Sequence, residues 1–76
     1  MLKEEIEEIG LRVYPNNPNL FGDWEDIEYN NKTKELFYHS CIDGTLTLYR
    51  KVTDIEDLKQ ALYDGFPDNR RDLNLD

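Results

Sequence analysis

Asp43-Gly44, set between two β-prone runs, constrains this chain's fold more than any other feature. A type I′ hairpin turn needs positive φ at both central residues, and Asp-Gly meets that requirement at little steric cost. On one side lies Glu35–Cys41 (Glu-Leu-Phe-Tyr-His-Ser-Cys), and on the other Thr45–Val52, rich in Thr, Leu, Tyr and Val. Both runs favour a pleated, half-buried surface. With Asp43 and Gly44 as the two loop residues, the register sets Cys41 opposite Leu46, His39 opposite Leu48 and Phe37 opposite Arg50 on one side. Ser40 then faces Thr47, Tyr38 faces Tyr49 and Leu36 faces Lys51 on the other. The side with Phe37, Leu46 and Leu48 is the expected core side.

Upstream, Trp24–Tyr29 reads as a third strand of the meander, joined to the hairpin by a turn at Asn30–Thr33. Leu11–Tyr14 is a short β-prone segment that stops at Pro15. Asn16–Gly22 holds Pro18, Gly22 and several asparagines and reads as a loop, with Leu20 and Phe21 as its apolar residues. Two helices flank the strands. Leu2, Ile6 and Ile9 recur at helical spacing, with Gly10 placed to end that helix. Thr53-Asp54-Ile55-Glu56 has the form of a capping box, followed by the apolar stripe Ile55, Leu58, Leu62 with Ala61 beside it. Gly65 is placed at C′, and Pro67 prevents the helix from resuming. The expected fold is α+β: a three- to four-stranded antiparallel β-meander flanked by an N-terminal and a C-terminal helix. Residues 1–67 form the single domain, and 68–76, polar except for Leu73 and Leu75, read as a mobile C-terminal tail.

At 76 residues the chain has material for one small core, and its aromatic content of 12% argues for a folded protein. Seventeen acids against nine bases leave a net charge of −8. That field disfavours direct contact with nucleic-acid phosphates or anionic lipid, and no apolar run approaches the ~20 residues of a membrane span. Cys41 is the lone cysteine, so no internal disulfide framework exists, and the N-terminus runs straight into charge without an export leader. Both point to a cytoplasmic protein.

His39 and Cys41, two apart on a strand, share a face and form the one pairing that resembles a nucleophile and its base. The acidic surroundings oppose a thiolate, so a core cysteine beside a hydrogen-bonded histidine is the expectation and no catalytic residue is assigned. One His and one Cys do not close a zinc site. On a strand, Asp26 and Glu28 would share a face and Glu25 would lie opposite, so those carboxylates are not expected to converge on a metal. No glycine-rich phosphate loop is present, and no cofactor is expected.

The aromatic set is the stronger signal. Tyr38 and Tyr49, with Trp24 and the loop residues Leu20 and Phe21, are the candidate partner-binding residues, because tyrosine and tryptophan combine large contact area with a polar tip. Size and composition suit a small inhibitor, regulator or accessory subunit of a bacterial or phage setting. Its partner would be another protein, a basic one being allowed by the charge, or a second copy in a homodimer. An alternative comes from Glu4, Glu5, Glu7 and Glu8 with Asp54, Glu56, Asp57 and Asp64: an acidic nucleic-acid mimic that fills the basic channel of a DNA- or RNA-binding enzyme.

Overall fold

The strand Ile27–Asn30 (β3) alternates cleanly, with Ile27 and Tyr29 buried and Glu28 and Asn30 half-buried, and it decides which side of the sheet is the core. The computed structural model describes Met1–Asp76, and in it β3 is the central strand of five. Arg12–Tyr14 (β1), Asn17–Gly22 (β2), β3, Glu35–His39 (β4) and Leu46–Lys51 (β5) form one antiparallel meander in chain order. Helix α1 spans Lys3–Ile9, α2 spans Ile55–Gly65, and a 3-10 helix follows at Pro67–Asp72. The α+β class is as expected. The sheet, however, has five strands rather than three or four.

The additional strand is β2, in the segment read as a loop. Its proline is tolerated because pairing with β1 slips: Val13 lies opposite Phe21 while Tyr14 lies opposite Asn17. Pro18–Leu20 therefore falls in an irregular stretch where no ladder amide toward β1 is required. Gly22 meets a tighter demand, since a Cβ there would lie 2.3 Å from the Ile27 carbonyl oxygen. Only glycine fits that approach.

Register across the strands defines two faces. Val13, Phe21, Tyr29 and Leu36 follow one another on the inner face, with Ile27 beside them. Both helices pack there, bringing Ile6, Ile9, Leu58, Ala61 and Leu62 into one core with Phe21, Ile27, Tyr29, Leu36, Val52 and Phe66. Each large apolar side chain buried in this way contributes about 1.5–3 kcal/mol, enough in sum to hold a short helix such as α1 on the sheet. Leu2, expected on the buried stripe of α1, is instead its exposed N-terminal flank, and its amide donates to Glu5 Oε1 at 3.1 Å.

The expected core side of the hairpin is the opposite one. Leu36 is buried, whereas Leu46 and Leu48 stay 46% and 50% exposed on the outer face with half-buried Phe37. Phe37, Leu46 and Leu48 do share one side as the hairpin pattern implied, but the helices pack on the other, and the register differs in two further respects. The Ser40 amide donates to the Thr45 carbonyl and the Gly44 amide to the Ser40 carbonyl, so the connection is longer than Asp43-Gly44 alone. A bulge then places Leu36 opposite Arg50 but Phe37 opposite Leu48, which leaves Tyr49 as the extra residue.

Helix α2 begins one residue later than the capping box implied. Asp54 is its N-cap, accepting from the Asp57 amide at 2.8 Å, while the Asp57 carboxylate accepts from the Thr53 amide at 2.9 Å. Gly65 is the last helical residue rather than a left-handed cap, and Phe66 follows with φ −133°. Beyond it, the stretch read as a separate tail continues the domain. Leu73 and Leu75 pack against the core, and the Asn74 amide donates to the Ile9 carbonyl at 2.7 Å. No helix is long and apolar enough to cross a membrane.

Candidate interaction surface

Because α1 and α2 occupy the same side, no element covers the outer face of the sheet. Register runs one row of side chains across it, from Arg12 past Gly22, Glu28 and Phe37 to Leu48. A neighbouring pair adds His39 and Leu46, and the other flank adds Leu20, Asn30, Glu35 and Lys51. This plane sets an apolar cluster of Phe37, Leu46 and Leu48 among the charged Arg12, Glu28, Glu35 and Lys51, an apolar centre with a polar surround.

Trp24 anchors one end of the plane. It sits in the turn between β2 and β3 at φ 64°, a left-handed conformation uncommon for a bulky residue. Asp23 stabilises that turn, its Oδ1 accepting from the amides of Glu25, Asp26 and Ile27 at 3.0, 2.9 and 2.9 Å. Trp24 is 47% exposed, with the Arg12 guanidinium carbon 4.1 Å from the centroid of its ring. Tyr14 meets it edge-on at 6.5 Å between centroids. Burial, and then the Glu28 carboxylate, push the Tyr14 phenol above its ordinary pKa, so Tyr14 presents a neutral hydroxyl to that end of the face.

The candidate contact residues do not form one surface. Tyr38 and Tyr49 lie on the helix side, where their ring centroids are 5.2 Å apart and 4.8 and 6.1 Å from that of Phe66. Thr47, not Tyr49, stands opposite Tyr38, and the rings meet diagonally across the bulge. Phe21 is fully buried in the core. Leu20 is half-buried on the outer face, and Trp24 is exposed at its edge. Phe37, Leu46 and Leu48 were missed as surface residues. The alternation of β3, carried through the Asn30–Lys34 turn, is the signal that would have set Leu36 inward and Phe37 outward.

The two residues that resembled a nucleophile and base separate at the end of β4. His39 Nδ1 lies 3.0 Å from the Glu25 carbonyl oxygen, while Cys41 is exposed in the following turn. The carboxylates of Asp23, Glu25 and Asp26 do come together, with one oxygen from each within 4.8 Å of the others. Glu25 and Asp26 were expected on a strand and pointing apart; they occupy a turn with Asp23, which lets the three converge. They are the residues that could hold a cation. Asp23 Oδ2 and Asp26 Oδ2 also accept from Asn69 Nδ2, each at 3.1 Å, which ties the 3-10 helix to this turn.

Ion pairing is sparse: Arg50 forks onto Asp57 at 3.0 and 3.1 Å, and Lys59 reaches Glu56 at 3.5 Å. Glu4, Glu7 and Glu8 project from α1 into solvent without a cation partner. No protein-family model, curated protein or solved structure matches the chain.

Proposed function

We propose that this domain is a small non-enzymatic binding module that recognises another protein through the open face of its sheet. One observation carries the reading: two helices fill the inner face, while the outer row from Arg12 through Glu28 and Phe37 to Leu48 has no cover from its own chain. At the β4–β5 end of that face Phe37, Leu46 and Leu48 lie together, with both leucines about half exposed. An uncovered apolar cluster rimmed by polar groups is a mark of a docking site. Trp24 and Arg12 at one end supply the residue types that dominate interface energetics. An inhibitor, regulator or accessory subunit fits this description, and a partner surface with some basic character suits the overall charge of −8.

The test is affinity capture from the native cell with the wild-type protein and with a Trp24→Ser/Phe37→Lys variant of unchanged melting temperature. A protein retained by the first and lost by the second supports the outer face as the contact. Identical captured sets refute it.

The unpaired acids of α1 favour a second reading, in which the domain imitates nucleic acid and blocks a basic channel. Charge reversal of Glu4, Glu5, Glu7 and Glu8 to lysine then abolishes binding, and retained binding sinks the mimic.

A further inference from the structure

The two edges of the sheet are unlike each other. β1 is three residues long and slips register against β2, a form that discourages pairing with another chain. β5 has six residues, no proline, and a regular run that is interrupted only at the Tyr49 bulge. The hydrogen bond from the Ser40 amide to the Thr45 carbonyl, 2.9 Å long, turns Thr45 toward β4. By alternation Thr47 also faces β4, while Leu46 and Leu48 direct their N–H and C=O groups away from the sheet. That free edge is a template for one more antiparallel strand.

We propose that the strand it accepts is β5 of a second copy of this chain, paired about a two-fold axis at Thr47. The register about that axis is self-complementary. Leu46 faces the partner's Leu48 and Leu48 faces the partner's Leu46, so both outward-directed residues form hydrogen-bonded pairs and their apolar side chains meet on the outer face. Thr47 meets its own copy on the other face. An axis moved to Leu48 would require Leu46 to pair with Arg50 across the bulge. One moved to Leu46 would set Leu48 against Gly44 of the connection, so Thr47 is the axis that pairs both leucines with leucines.

Charge selects this edge as well. Copies of net charge −8 repel, yet Gly44–Thr53 contains no carboxylate and carries Arg50 and Lys51. The same register brings the exposed Lys51 toward the loop that holds the partner's Asp43. That carboxyl is held below its ordinary pKa, first by the Thr45 amide and then by the Thr45 hydroxyl, and stays ionised. A strand pair of this length buries less than the ~1,200 Å² of a stable interface, so the dimer forms at high micromolar to millimolar concentration. It joins two outer faces into one ten-stranded sheet. This proposal does not depend on the identity of any other partner.

Sedimentation equilibrium on the isolated protein tests it. The wild type should approach twice the monomer mass as concentration rises to the millimolar range, while Leu46→Lys/Leu48→Lys and Leu46→Asp/Leu48→Asp each stay monomeric. Mixing those two variants should restore the dimer as a heterodimer, because each lysine then faces an aspartate. A wild type that remains monomeric at millimolar concentration, or a mixture that fails to associate, overturns the proposal. Oxidation of Cys41→Ser/Thr47→Cys gives an independent readout on an otherwise native edge. A disulfide between the two copies at residue 47, forming faster than in Cys41→Ser/Thr45→Cys, is expected, and equal or slower formation overturns the register.

Discussion

A methyl group on Gly65 would lie 2.6 Å from the Tyr49 ring. The last residue of α2 is therefore a glycine because a bulged tyrosine of β5 occupies the space above it, and Tyr49 is itself held edge-on against Phe66.

Gly65→Ala should thus behave unlike an ordinary glycine-to-alanine change in a helix, which stabilises by up to ~1 kcal/mol. Here the forced displacement of the Tyr49 ring outweighs that gain, and a net loss of about 1–2 kcal/mol is expected. Gly65→Ala in a Tyr49→Ala background should recover the ordinary helical benefit. Urea denaturation of the four proteins of that cycle checks both statements.

Asp57 gives the fold an acid-sensitive fastening. Its hydrogen bonds from Arg50, and next from the Thr53 amide, hold its carboxyl below the ordinary aspartate value of 3.8. A lowered folded-state pKa means that the stabilisation is present above that value and is lost as pH falls through the folded pKa. Asp57→Asn should cost about 1 kcal/mol at neutral pH, where the pair is partly exposed, and should flatten the decline in melting temperature below pH 3.8.

Tyr29 acts at the other end of the scale. Burial pushes its phenol from 10.0 up to about 12. A raised folded-state pKa gives stability that is complete below pH 10.0 and disappears as pH climbs toward about 12. The Tyr29 hydroxyl has contacts of only 3.5 Å, to Met1 Sδ and Asn31 Oδ1, so Tyr29→Phe should cost less than ~1 kcal/mol at neutral pH. The variant should resist alkali better than the wild type, as followed by tyrosinate absorbance alongside circular dichroism.

Asp23→Ala removes the acceptor of three turn amides. A loss of about 2 kcal/mol is expected, by comparison with the removal of helix-capping side chains. Trp24, which is positioned by that turn, should show a shifted fluorescence maximum even under conditions where the fold persists.

Several of these features were legible in the residues and several were not. Ile55, Leu58 and Leu62 marked α2 through their spacing, and the strands around Asp43-Gly44 were evident from composition. β2 was not, because Pro18 and the asparagines carry a loop signal and only the slipped pairing with β1 makes them compatible with a strand. The core side of the hairpin was misassigned for a different reason: Phe37, Leu46 and Leu48 do share a side, but nothing within the hairpin says which side the helices cover. The pairing itself shifts by two residues, which preserves the sides, and only the Tyr49 bulge carries Arg50 across to face Leu36. Neither the longer connection at Ser40–Thr45 nor that bulge has a local signature. Of the candidate contacts, Trp24 and Leu20 reach the outer face, while Phe21, chemically similar to them, is in the core.

The one-sided layering has an evolutionary corollary. Along each strand, residues that hold the helices alternate with residues that face outward, so Tyr29 and Leu36 answer to selection for folding while Glu28 and Phe37, their immediate neighbours, are released from it. A lineage could rewrite the outer row codon by codon and change what it binds without disturbing the scaffold, and a randomised library confined to Arg12, Glu28, Phe37 and Leu48 should retain a high proportion of folded members.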